Sequence, residues 1–177
     1  MNAALLSSEN MGWRTPPEFL NLVRRVSTTG RIALDPATTT DNPTEADGIY
    51  AHPVADGLKW PWESRGLVYC NPPYGRNLLA WSEKFASEGT SGTELLTLTP
   101  ARTDTRWWKN LTTAHAICFL SGRLMFLEQR PDGSWGPALD KKGKPMRALF
   151  PCAATYWGPR VDRFVEVFGS QGWVVRP

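Results

Sequence analysis

Asn71-Pro72-Pro73-Tyr74 brings together a side chain and a stretch of backbone that could do chemistry on a planar amino group. Each proline fixes φ near about −65° and supplies no N–H, so Asn71 is held extended and the Pro72 and Pro73 carbonyls stay out of any helix or ladder. The result is a stiff row of acceptors. A carboxamide oxygen beside a backbone carbonyl can take both hydrogens of an exocyclic amino group, and an exposed Tyr74 ring would give a flipped base a face to stack on. An amino nitrogen conjugated to a ring is a poor nucleophile. Two acceptors draw it towards a tetrahedral geometry, from which it could attack a sulfonium methyl held in line, with most of the rate gain coming from positioning and from acceptors aimed at developing charge. The plain alternative is a turn, because Asn and Pro are common turn residues and four-residue matches arise by chance.

Periodicity predicts the elements that must hold this shelf. The apolar run 66–70 ends directly before Asn71 and reads as a strand. Upstream, Thr15 as cap, Pro16 at the first helical position and Glu18 as capping-box partner begin a helix that runs through Phe19, Leu20, Val23 and Val26. Residues 31–35 read as a strand ending in Asp35 and stopped by Pro36, followed by a polar loop to residue 55 with a short strand at 48–50. A helix at 76–88 is expected to end at Gly89, and a strand at 94–99 to end at Pro100. Beyond them follow a short helix at 104–111, strands at 116–120 and 123–127, a loop or hairpin tip at 130–146, a strand at 148–157 interrupted near Pro151, a helix at 160–168 and an edge strand at 173–175. Strands alternating with helices predict an α/β fold with a mostly parallel sheet, and ligands of such sheets bind beyond the carboxyl ends of the strands. If the strands of Asp35 and Asn71 are neighbours, both face one crevice.

Hydrophobic residues make up 41% of the 177 and charged residues 21%, which suits one globular domain with one core. That domain is expected over 13–177, after a mobile arm at 1–12 and without a separate target-recognition domain. No apolar run approaches bilayer length and the first residues lack the order of a signal peptide, so a cytoplasmic protein with no membrane partner is expected. A formal net charge of +3 permits a polyanionic partner without arguing for one. Cys70, Cys118 and Cys152 lie in or beside apolar segments and read as small buried hydrophobes. With His52 and His115 far apart, no metal site is expected. Dinucleotide, nucleoside-triphosphate and serine-hydrolase motifs are absent.

Arg102, Arg106 and the Trp107-Trp108 pair follow a predicted strand end and suit a nucleic-acid-facing wall, with Arg102 read as functional and at least one tryptophan as core. Arg123 suits a phosphate contact and a brace for the active-site loop equally. Lys141, Lys142 and Lys144 form the kind of run that is usually a solvated loop, and in so small a chain they are also the best candidates for a groove or backbone contact. Leu124, Phe126, Trp81 and Trp157 are assigned to the core.

Six segments then recur in a familiar order: Trp13-Arg14-Thr15-Pro16-Pro17, Leu34-Asp35-Pro36-Ala37, Asp56-Gly57-Leu58 with Trp62, the Asn71 shelf with Gly75, the stretch from Pro100 to Trp108, and the stretch from Gly122 to Phe126. In that order the chain resembles, over about residues 11–155, the phage-type DNA N6-adenine methyltransferases, or phage Dam family. The resemblance implies a Rossmann-like methyltransferase fold and an S-adenosyl-L-methionine-dependent enzyme acting on adenine in double-stranded DNA. Matched position by position, Asn71, Pro72, Pro73 and Tyr74 correspond to the catalytic motif, and Asn71 also to a cofactor contact. Trp13, Thr15 and Pro16 match the segment near the cofactor's methionine end, Asp35, Pro36 and Ala37 the cofactor-binding strand end, and Asp56 with Leu58 the element beside its adenine. Where many methyltransferases place a glycine-rich loop after the strand acid, Ala37 leads into Thr38-Thr39-Thr40-Asp41, so the hold on the cofactor's ribose and carboxylate stays open. Asp41 and Asp47 suit ribose hydroxyls or plain solvation. Two other readings stay in view: the same donor acting on RNA or a protein glutamine, and a catalytically silent DNA-binding relative. A monomer is expected.

Overall fold

The computed structural model describes residues 13–63, 65–130, 132–140 and 142–177; the arm expected at 1–12 and Lys141 lie outside them. Helix α1 (Pro17–Val26) precedes strands β1 (Leu34–Thr38), β2 (Gly48–Ala51) and β3 (Val68–Cys70), then α2 (Leu78–Thr90), β4 (Leu95–Pro100), α3 (Trp108–Leu111) and β5 (Ala116–Leu120). A hairpin of β6 (Leu127–Gln129) and β7 (Trp135–Pro137) leads to β8 (Cys152–Trp157), α4 (Val161–Phe168) and β9 (Gly172–Val175). Seven strands form one sheet in the order β2-β1-β3-β4-β8-β5-β9.

The sheet is mixed. Strands β2, β1, β3 and β4 pair in parallel, whereas β8 runs antiparallel between β4 and β5, and β9 antiparallel beside β5. A parallel neighbour needs a crossover, usually a helix. The chain enters β8 from the β6–β7 hairpin instead, and this reverses its direction.

Alternation in β3 divides the core. Leu67 and Tyr69 face the layer of α1 and α4 with Phe19, Val23, Phe164 and Phe168, while Val68 and Cys70 face the layer of α2 and α3 with Trp81, Phe85, Trp108 and Leu111. Both Trp107 and Trp108 are buried, as are Phe126, Trp81, Trp157 and the three free cysteines; Leu124 packs against the core's edge.

Four local expectations need correction. Pro36 does not stop β1, because the register against β2 shifts between Asp35 and Thr38 and an interrupted ladder tolerates a residue without an N–H. Thr15 does not cap α1: Pro16 is the N-cap residue, no side chain caps the helix, and the Thr15 hydroxyl is spent elsewhere. Gly89 does not end α2 but lies inside it, buried where a Cβ would overlap the Trp157 ring, and the turn beyond is made by Gly92 at φ +101°. Residues 123–126 form no strand, since β6 begins at Leu127 opposite Pro137.

Candidate active site

Strands β1 and β3 are direct neighbours, with Leu34 in register with Val68. Asp35 and Asn71 therefore reach one crevice at the carboxyl edge of the parallel strands, and with Pro100 at the end of β4 they line a cavity of about 910 Å³, within the range of small-molecule sites.

At its centre the Asn71 side chain donates from Nδ2 to Thr15 Oγ1 at 3.2 Å, and Thr15 Oγ1 lies 2.7 Å from the Tyr69 hydroxyl. Asn71 Oδ1 is buried and has no hydrogen-bond partner among the described residues. An orphaned acceptor of this kind costs about 1–3 kcal/mol, which a ligand donor would recover. Pro72 is buried and Pro73 half-buried beside it. Tyr74 differs from the expected open stacking platform. Its ring is half-buried and meets Phe126 and Phe150 edge-on, with centroids 6.0 and 5.6 Å apart, and its hydroxyl donates to the Leu98 carbonyl at 3.2 Å. Burial pushes its phenol well above the ordinary value, so Tyr74 contributes a neutral ring to the cavity wall.

A second wall rises from β1 and the loops after it. The Asp35 carboxyl is 3% exposed, accepts from Ala37 N–H at 3.1 Å and from Thr44 Oγ1 at 2.8 Å, and is pushed by burial up to about 6. Asp56 Oδ1 accepts from Leu58 N–H at 3.0 Å. The turn between them is pinned on both sides: Trp62 Nε1 donates to the Gly57 carbonyl at 2.8 Å, and a Cβ at Gly57 would overlap the Pro36 carbonyl oxygen. Trp13 stacks on Phe126 and Phe150 at 5.5 and 5.8 Å and lines the cavity, as do Thr15, Pro36 and Ala37; Pro16 does not. In place of a glycine-rich loop, Asn42 and Glu45 take positive φ, and the Asn42 amide bridges the N–H and carbonyl of Ala46 at 3.0 and 2.9 Å. Asp41 pairs with Arg14 and Asp47 with Arg31, and neither acid lines the cavity.

The remaining candidates divide. Arg102 and Trp107 line the cavity, the former exposed and the latter buried. Arg106, Arg123, Lys142 and Lys144 do not line it. Lys142 and Lys144 stand exposed in a loop whose backbone is gathered by Asp140 Oδ1, at 2.8 and 2.9 Å from their amides. Two residues that sequence reasoning missed also line the cavity. Arg76 is exposed and, like Arg102, makes no ion pair among the described residues. Its position two residues after the shelf was the available signal. Trp135, from the hairpin, carries the Arg14 guanidinium 3.3 Å over its ring centroid, which ties β7 to the cavity.

Among the described residues no group of three or more His, Cys, Asp or Glu gathers as a metal site would need, and no helix is long and apolar enough to cross a membrane. No curated protein and no solved structure matches the chain. A family model does, across residues 2–146, a span that contains the shelf, the β1 acid and every residue that lines the cavity except Phe150: the chain belongs to the DNA N-6-adenine-methyltransferase (Dam) family.

Proposed function

We propose that this protein transfers a methyl group from S-adenosylmethionine to N6 of an adenine turned out of double-stranded DNA, on a Rossmann-like methyltransferase scaffold. The observation that carries the reading is the buried Asn71 Oδ1, without a partner among the described residues, in a large cavity that Pro72 and Pro73 also line. When bound, the methyl donor supplies an electrophilic sulfonium methyl. Asn71 Oδ1 accepts one N6 hydrogen and a shelf carbonyl the other, so the nitrogen lone pair is drawn out of the ring and the positive charge that forms as the N–C bond closes meets two acceptors. The C–S electrons leave with sulfur, and N6 loses one proton to solvent.

Asp35 and the Asp56–Leu58 turn supply the wall for the donor. The Asp35 carboxylate keeps lone pairs beyond those taken by Ala37 and Thr44, and burial makes a cationic or hydroxyl-bearing ligand its natural partner. Tyr74 bounds the base and Trp13, as the resemblance implies, the donor's methionine end, while Arg76 and Arg102, exposed at the cavity, are the candidate cations for phosphates flanking an extruded nucleotide. Extrusion itself costs a few kcal/mol, so a mismatched target is the better substrate.

The test is methyl transfer from tritiated S-adenosylmethionine into duplex DNA, RNA and lysate protein in parallel. Label in duplex DNA, recovered as N6-methyladenine, is expected. Label confined to RNA or to glutamine in protein would overturn the reading, and binding of DNA without any transfer would make the chain a silent relative.

A further inference from the structure

A carboxamide has two ends of nearly equal size, and only one of them suits an amino group. Turned by 180°, Asn71 would present two N–H donors to a substrate that is itself a donor, and the shelf would repel what it should bind. Asn71 therefore needs a residue that decides which end faces the crevice. We infer that Thr15, held by Tyr69, is that positioning residue.

Thr15 is only 6% exposed and Tyr69 is fully buried, on β3 two residues before Asn71. The Tyr69 hydroxyl has Thr15 Oγ1 as its hydrogen-bond partner at 2.7 Å, and either oxygen can donate in that pair. A buried phenol that keeps its proton must place it, and donation to Thr15 does so. Asn71 Nδ2 fills the other acceptor position of Thr15 from 3.2 Å. A threonine hydroxyl accepts two hydrogen bonds and donates one: with its lone pairs taken by Tyr69 and by Asn71 Nδ2, Thr15 keeps its own O–H for the cavity it lines, the amide nitrogen is turned inward, and Oδ1 is left with no partner among the described residues. The inference rests on Asn71 as acceptor. It departs from the role that the family resemblance implies for Thr15, since it makes Thr15 act through Asn71 and not through the methyl donor.

Thr15→Val keeps the branched shape and removes the hydroxyl; Thr15→Ser restores it. Three measurements decide. In protein labelled with ¹⁵N-Asn, the Asn71 side-chain amide protons should exchange slowly and show distinct shifts in the wild type, lose both features in Thr15→Val, and regain them in Thr15→Ser. Turnover of Thr15→Val at saturating DNA and donor should fall about tenfold or more, consistent with an acceptor aimed wrongly for much of the time, with Thr15→Ser near wild type. The dissociation constant for S-adenosylmethionine, by calorimetry, should stay within about twofold in both variants. An unchanged Asn71 amide signal in folded Thr15→Val overturns the proposal, as does a loss confined to donor affinity. Full activity of Asn71→Ala would instead overturn the reading of the shelf beneath it, so the two failures are told apart. Should Thr15→Val not fold, the same amide signal and turnover are read in Tyr69→Phe, which should shift both in the same direction by less. A wild-type amide signal there counts against the relay.

Discussion

Asp35 stands on β1 and Asn71 directly follows the neighbouring β3, and the same burial gives them opposite demands. The Asn71 oxygen wants a donor that the described residues do not supply, so Asn71→Ala should cost about 10²–10³ in turnover, the loss seen when one such acceptor or donor is removed, while donor affinity holds. Steady-state kinetics beside calorimetry checks both halves. Asp35 has its donors, but burial in a dry place disfavours its ionised form and pushes its pKa from the ordinary carboxylate range up to about 6. The protonated form is the one the fold favours, so the contribution of Asp35 to stability is fully present below about pH 4 and is lost as pH rises through about 6. Asp35→Asn should therefore flatten that part of a denaturant-melt series between pH 4 and 7. Binding of a cationic donor runs the other way, because it selects the carboxylate; its affinity should fall below about pH 6 in the wild type and show no such step in the variant. Much of this was legible in the sequence, since two prolines fix their own geometry wherever they stand. Thr15 was not, because Thr-Pro-x-Glu suits a capping box as well as it suits a buried hydroxyl pointing at a tyrosine 54 residues away in sequence.

At the scale of elements, the cavity wall depends on close backbone approach. Gly57 lies against the Pro36 carbonyl, and its own carbonyl is held by Trp62, so a methyl group there must drive the Asp56–Leu58 turn away from β1. Gly57→Ala should lower the melting temperature and weaken S-adenosylmethionine binding together, whereas Gly92→Ala, strained but remote from the cavity, should lower stability alone; paired melts and calorimetry separate them. The elements themselves were largely readable from periodicity, with α1, α2, α4 and the strands at 48, 68, 95, 116 and 172 found close to where patterning puts them. The errors share a cause. Pro36 and Gly89 look like punctuation in one dimension, yet one sits in a broken ladder and the other makes room for an indole, and both facts belong to neighbours that the local sequence does not show.

For the whole molecule the net charge of +3 is too small for uniform attraction to DNA, so affinity must come from a few placed cations. Arg76→Ala and Arg102→Ala should each flatten the log–log salt dependence of duplex binding by about one unit and also slow turnover. Joint replacement of Lys142 and Lys144, which stand outside the cavity, should weaken binding alike on all sequences and leave turnover at saturating DNA intact. Filter binding across a salt series with single-turnover rates distinguishes the two sets. Strand direction was the part of the architecture least visible beforehand, and it carries a consequence for how the chain is made. Strand β8, hydrogen-bonded to both β4 and β5, sits well inside the sheet but is synthesised after β1 to β7 and after the whole of the Asn71 shelf. Until it leaves the ribosome, β4 and β5 present bare edges of buried, β-branched and apolar residues, the kind of edge that recruits other chains. Aggregation in the cell should thus track how quickly residues 152–157 follow residue 120 out of the exit tunnel, and a translational pause in the hairpin between them should cost yield without altering the finished enzyme.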